Sequence, residues 1–276
     1  MSRGSSLFPA LSRMYRLARS TGLLDLPWFR GLYARAYFVY KRHLEDPFAG
    51  LVRSRPDLFA EGHILDVGAN IGYTAALFLD VLSPGFKVYA FEPDESNLVS
   101  LRETVRARHA EGAIVPVPCA AGDVDGEAEL WHNPSHPGDH RLVTPASARL
   151  PVAGETTRVA VRTVDGFLES EGQGASPIAF VKVDVQGAES AVFRGMERSL
   201  ARCPRAVVAF EYDPAQMRSL GFDPAVAVAF FAGRNYQLHV LRKDGGLEAM
   251  DEPRLALAVG ARGYLDLVAS RRELLR

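Results

Sequence analysis

The stretch Asp66-Val67-Gly68-Ala69-Asn70-Ile71-Gly72 sets an acid, two glycines and an amide between a short apolar run and an amphipathic one. Glycine lets the backbone turn sharply and approach a ligand closely, so such a loop between a strand and a helix is a cofactor loop. The spacing is Gly-x-x-x-Gly. It lacks the middle glycine of the G-x-G-x-x-G dinucleotide fingerprint, and a pyrophosphate fits poorly over Asn70. Asp66 points the same way, because a carboxylate at the strand end repels a diphosphate and attracts an ammonium. Glu92 lies 20 residues after Gly72, where a carboxylate reaches both hydroxyls of a ribose.

A nucleoside that also carries an amino-acid ammonium satisfies both acids. S-adenosyl-L-methionine is therefore the expected cofactor, bound through Asp66, Gly68, Asn70, Gly72 and Glu92. Asp123 follows the third apolar run and is either an acceptor for the adenine amino group or part of the turn Gly122–Gly126. A nicotinamide oxidoreductase is the first rival reading, disfavoured by the missing glycine and by Asp66. A nucleic-acid amino-methyltransferase is disfavoured because Asp184-Val185-Gln186-Gly187 stands where an N/D-P-P-Y/F segment is needed.

Methyl transfer from a sulfonium is an in-line displacement, so an acceptor oxygen must be held behind the methyl and its proton removed. Asp184 and Glu211 end two further apolar runs. They are candidates for proton removal, or for holding a divalent metal that acidifies the acceptor. The loop from His132 to Arg141 contains three histidines, and His140 is the candidate base because imidazole titrates near neutral pH. Zinc is disfavoured there, since no cysteine or helical His-x-x-x-His accompanies them.

These residues need elements to carry them. From Ile64 onward short apolar runs alternate with amphipathic stretches, the order of βαβ units and a mostly parallel sheet. Strands are expected over 63–67, 87–91, 113–119, 127–131, 158–164, 178–183, 206–210, 237–241 and 264–268. Helices are expected over 71–82, from Asp94 through Val105, over 188–200 and over 224–233. Residues 133–151, rich in His, Pro, Ser and Gly, read as a loop inside an insertion spanning about 131–158. The expectation is an α/β fold, Rossmann-like and doubly wound, with a mostly parallel seven-stranded sheet and a β insertion. A helical N-terminal extension over 1–60 precedes the domain at 61–276.

The segments DVGANIGYTAALF (66–78), VYAFEPDESNLVSLRETV (88–105), AAGDVDGEAEL (120–130), VRTVDGFL (161–168) and FVKVDVQGAESAVFRGM (180–196) resemble the FkbM family. The resemblance implies a class I S-adenosylmethionine-dependent methyltransferase that methylates a hydroxyl on a small molecule, natural product or glycan. One departure stands out: the family usually has D-V-E-G-x-E where this chain has Asp184-Val185-Gln186-Gly187-Ala188-Glu189. Gln186 keeps polarity and loses charge, which leaves a non-catalytic cofactor-binding partner protein as a further reading.

The 276 residues carry 32 Lys+Arg against 33 Asp+Glu, a net charge of −1, so there is no whole-chain footprint for nucleic acid. Residues 1–60 are the exception, with ten Lys/Arg against four Asp/Glu, a basic surface suited to packing over the domain or to a membrane or acidic partner. Two cysteines without metal-ligand spacing suit a reducing compartment, and a cytoplasmic location is expected.

Overall fold

The computed structural model describes residues 46–133, 139–149 and 154–274, together with Leu26, Phe29 and Leu32. The expected helices of residues 1–60 therefore fall largely outside the described residues. Within them lies α1 (Phe48–Ser54), whose Phe48, Ala49, Leu51 and Val52 are buried.

Five apolar runs form the parallel part of the main sheet: β1 (His63–Val67), β2 (Val88–Phe91), β3 (Ile114–Val117), β8 (Ile178–Val183) and β9 (Val207–Tyr212). Their order is β3-β2-β1-β8-β9, so the chain leaves β1 in opposite directions and opens a crevice at the strand C-termini, where such folds bind ligands. Beyond β9 the sheet continues with β12 (Leu265–Ser270), then β10 (Gln237–Leu241), then β11 (Leu247–Met250), each pair antiparallel. Among the described residues this sheet has eight strands, where seven were expected. The extra one, β11, folds back on β10 through Asp244-Gly245-Gly246, with Gly245 at φ +85°. It was missed because Leu-Glu-Ala-Met has little strand signal of its own and owes its form to pairing.

Both sheet faces are covered. Leu65, Val67, Val181, Val183, Val208 and Phe210 face one core with Phe193 and Phe231. Their chain neighbours Ile64, Phe180, Val207 and Ala209 face another with Phe48, Phe59 and Phe78. The two-residue period of a strand then carries Asp66, Glu92, Lys182, Asp184, Glu211 and Asp266 to the second face.

After β1 comes α2 (Tyr73–Phe78), continued by a 3-10 turn at Leu79–Val81, shorter than the expected 71–82. The helix α3 (Glu95–Ala107) begins as expected at Asp94, whose carboxylate accepts the Asn97 amide at 2.8 Å. The expected helix over 188–200 is two, α5 (Glu189–Gly195) and α6 (Glu197–Arg202). At the break, a Cβ on Gly195 would stand 1.9 Å from the Gly122 carbonyl oxygen. Three helices were not anticipated: α4 (Val164–Ser170), α7 (Pro214–Ser219) and α9 (Glu252–Arg262), whereas α8 (Pro224–Ala232) was. Asp213 and Asp251 cap α7 and α9 ahead of an early proline, a start signal that could have been read.

The insertion forms a second sheet of order β4-β7-β5-β6, from Ala120–Ala121, Thr156–Arg162, Gly126–Trp131 and Arg141–Leu142 respectively. Residues 133–151 are therefore not all loop, since β6 adds to β5 there. β7 stops at Arg162, short of the expected Val164, because Thr163 caps α4 by accepting the Gly166 amide.

Candidate functional site

The glycine loop, the ends of β2, β8, β9 and β12 and the tip of the insertion line one cavity of about 290 Å³. Its wall includes Gly68, Asn70, Glu92, His140, Lys182, Asp184, Gln186, Glu211 and Asp266.

Glu92 organises the cofactor side. It is buried, and Oε2 accepts the Asn70 amide at 2.8 Å while Oε1 accepts the Asp94 amide at 3.0 Å and the Asn97 Nδ2 at 3.3 Å. Burial pushes its carboxyl up to about 7 despite these donors. Glu92 therefore fixes the crest of the loop as well as facing the cavity. Asn70 takes φ +50°, and its own Oδ1 accepts the Ile71 amide at 2.7 Å.

Gly68 is required by space and by backbone. It sits at φ +81°, and a Cβ there would lie 1.9 Å from the Asp184 carbonyl oxygen. Gly72, at φ +83°, does not line the cavity. Its missing Cβ makes room for Leu101 Cδ1, at 2.4 Å, which seats α2 against α3.

Two further residues expected at the cofactor lie off the cavity wall. Asp66 is fully buried and lies beneath the loop instead of on the cavity wall. Its neighbour is the buried Lys182, whose Nζ is 3.4 Å from Asp66 Oδ1 and 3.4 Å from Asp184 Oδ2 and donates to the Gly68 carbonyl at 2.8 Å. Burial raises the Asp66 carboxyl to about 6, opposed by Lys182. Burial also works against the Lys182 charge, but Asp184 and Asp66 overcome it and hold the lysine above its ordinary range. Asp123, expected either at the adenine or as part of a turn, is the second. It lies off the cavity in a surface ion pair with Arg194 at 2.7 Å, while Cys119, Ala120 and Ala121 occupy the wall beside Pro93.

On the acceptor side, Asp184 is 38% exposed, and its Oδ1 accepts from Gln186 Nε2 at 2.9 Å. Gln186 itself stands at φ +58°. The buried Glu189 accepts the Val185 and Gly187 amides at 3.2 and 3.1 Å, tying the segment into a tight loop, and burial lifts its carboxyl to about 7. Glu211 pairs directly across the strands with Asp266. Burial first, then the charges of Asp184, Glu189, Asp266 and Asp213, raise the Glu211 carboxyl to about 9. Burial and the surrounding acids thus favour the protonated form of Glu211. Asp184 and Glu211 do line one cavity as expected, but Asp184 is already engaged by Lys182 and Gln186.

His140 also lines the cavity, and it contacts other residues of the insertion. Its Nδ1 accepts the Asn133 amide at 3.1 Å, and its ring meets that of His132 at 4.9 Å. His132 in turn lies 3.2 Å from Asp94. Among the described residues this trio, and not Asp184 with Glu211, is the group of three with metal-ligand spacing. His136 of the same stretch lies outside the described residues. Sequence reasoning missed Lys182, for which a charged residue within the apolar run Ile178–Val183 was the available signal, and it gave no role to Glu189, although that residue stands in the family segment.

A crevice lined by carboxyl groups at the end of a glycine loop fits a nucleoside cofactor that carries an amino-acid tail. The fit rests on Glu92 and on the carboxyls of Asp184, Glu211 and Asp266 on one wall.

Comparison with known proteins gives the same direction. The Methyltransferase FkbM domain profile matches residues 66–238. Methyltransferase sdnD of Sordaria araneosa is 27% identical over 206 residues, covering 66% of this chain and 77% of that protein. The hexuronic acid methyltransferase AglP of Haloferax volcanii is 29% identical over 137 residues, 49% of this chain and 50% of that protein. A solved FkbM methyltransferase from Methylobacillus flagellatus superposes with a TM-score of 0.49 at 18% identity, covering 84% of this chain and 53% of that one. No helix among the described residues is long and apolar enough to cross a membrane. With the profile covering well over half of the chain, and its matched region spanning the glycine loop, Glu92 and the Asp184 segment, this chain belongs to the FkbM methyltransferase family.

Proposed function

We propose that the chain is an S-adenosyl-L-methionine-dependent O-methyltransferase whose acceptor is a hydroxyl on a small molecule, natural product or glycan. The observation that carries this reading is the single cavity shared by the Gly68–Asn70 loop, Glu92 and the half-exposed Asp184. When bound, S-adenosyl-L-methionine supplies an electrophilic methyl group on a positively charged sulfur. Glu92 accepts from the ribose hydroxyls, its orientation set by the Asn70, Asp94 and Asn97 donors. Asp184 accepts the acceptor hydroxyl's proton, with Gln186 and Lys182 fixing its two oxygens. The protonated Glu211 donates a hydrogen bond toward the acceptor instead of competing for that proton.

Of the sequence candidates, Asp184 is the base in this proposal because it is a part-exposed carboxylate on the cavity wall beside the glycine loop; His140 lines the same cavity and is the second candidate. A divalent metal at Asp184 and Glu211 is not invoked, since Lys182 already places a positive charge against Asp184. The hexuronic acid named for AglP supports sugar acids among the acceptors to be screened.

The test is calorimetric titration with S-adenosyl-L-methionine and with NAD, followed by assay of S-adenosylhomocysteine release across a panel of glycan and natural-product hydroxyls. Binding of the first ligand alone, with acceptor-dependent release, is the expected result. Binding of NAD would remove the proposal, and cofactor binding with no release on any acceptor would leave a binding protein instead of an enzyme.

A further inference from the structure

The insertion tip and the start of α3 meet at three side chains that the proposed methyl transfer does not use: Asp94, His132 and His140. Each offers a ligand atom, and the three atoms lie within 4.8 Å of one another. We infer that they form a binding site for a divalent transition-metal ion, which staples the insertion over the cofactor cavity.

Each ligand is held by its own partners. Asp94 commits Oδ1 to the cap of α3, accepting from the Asn97 amide at 2.8 Å and the Ser96 hydroxyl at 2.6 Å. That leaves Oδ2 facing His132 Nδ1 at 3.2 Å, with the two side chains only 5% and 12% exposed. The His132 Nε2 lies 2.8 Å from the Thr157 hydroxyl of β7. With Nε2–H donating to Thr157, Nδ1 presents a lone pair, the arrangement that a metal-bound histidine receives from its outer partner. His140 Nδ1 accepts the Asn133 amide at 3.1 Å, which identifies it as the nitrogen with a lone pair. An ion takes that lone pair in place of the amide hydrogen. The two rings lie edge to face, with centroids 4.9 Å apart, and each brings one ligand nitrogen within 4.8 Å of the other and of Asp94.

One of the three ligand spacings already matches the chemistry. In a tetrahedral site with bonds of about 2.0–2.1 Å, neighbouring ligand atoms stand about 3.3 Å apart, and the Asp94–His132 pair is at 3.2 Å. Two imidazoles and one carboxylate suit zinc and its neighbours in the first transition row, with the remaining positions open to water or ligand. The histidines by themselves carried no such reading. The third ligand comes from Asp94, two residues after Glu92 and on a different element, and only the fold brings it there.

The consequence is mechanical. Asp94 starts α3, and Glu92, Pro93 and Asn97 beside it line the cavity, as do Asp139, His140, Arg141 and Leu142 of the insertion. An ion shared by Asp94, His132 and His140 ties these two walls together, independently of which methyl donor occupies the cavity.

The experiment uses the full chain, free of any affinity histidine tag and stripped with a chelator. Cobalt(II) is titrated as a spectroscopic probe, then displaced with zinc(II). The expected result is one equivalent of cobalt with visible d–d bands, displaced by zinc, and a higher melting temperature with zinc than without. Asp94→Asn, His132→Ala and His140→Ala should each weaken cobalt binding by about 10-fold or more. Asparagine is as good a helix cap as aspartate, so Asp94→Asn keeps the metal-free melting temperature and its loss of binding cannot be assigned to unfolding. Absence of a stoichiometric cobalt spectrum, or binding unchanged in all three variants, overturns the site and leaves a hydrogen-bonded His132–Asp94 pair.

Discussion

Replacing Glu211 by glutamine should stabilise the cofactor-free protein, and by an amount that grows with pH. In the fold this carboxyl is raised to about 9 by burial and by the charges of Asp184, Glu189, Asp266 and Asp213. In the unfolded chain it ionises near its ordinary value of 4.5. Between these values the folded state holds a proton that the unfolded state has released. Stability therefore falls as pH rises through this window, and the loss is complete above the folded value. One proton contributes about 1.4 kcal/mol per pH unit, so by pH 7 Glu211 costs about 3 kcal/mol relative to pH 4.5. Glutamine keeps the shape and the capacity to donate but cannot ionise. Urea unfolding at pH 5, 6, 7 and 8 checks this: the variant's advantage should be small at pH 5 and rise to about 2–3 kcal/mol at pH 7. Asp66, Glu92 and Glu189 also have raised values, but they act in both proteins and largely cancel in the difference. A difference that stays flat with pH would refute the claim that Glu211 is protonated, and with it the donor role.

Glu92→Gln should weaken S-adenosyl-L-methionine binding by about 1–3 kcal/mol, because it leaves ribose hydroxyls and the Asn70 amide without a carboxylate acceptor; unchanged affinity by calorimetry would end that assignment. Gly68→Ala combines a positive φ with a Cβ 1.9 Å from the Asp184 carbonyl oxygen, so it should lower stability by about 2 kcal/mol or more. A normal melting temperature for that variant would mean the two loops are not pressed together. Asp184→Asn should leave the melting temperature within a few degrees of the parent while lowering turnover about 100-fold, the scale of a lost general base. Full turnover would take Asp184 out of the reaction.

What the sequence determined by itself is local. Gly68, Asn70 and Glu92 were legible because a strand-loop-helix turn needs particular backbone freedom at particular positions, and because a strand ends where its apolar run ends. Asp94 as a cap and the five parallel strands followed from the same kind of short-range physics. What only tertiary structure decided is which polar groups share space. Asp66 was expected at the ammonium and Asp123 at the adenine or in a turn, yet one is buried under the loop against Lys182 and the other is paired with Arg194 at the surface. The edge strand β11 exists through pairing with β10, and Asp94 meets His132 and His140 because the insertion folds back over the cavity. The protonation of Glu211 belongs to this second class too. A carboxyl's affinity for a proton depends on burial and on charges brought near from other strands, and neither is a property of its neighbours in sequence.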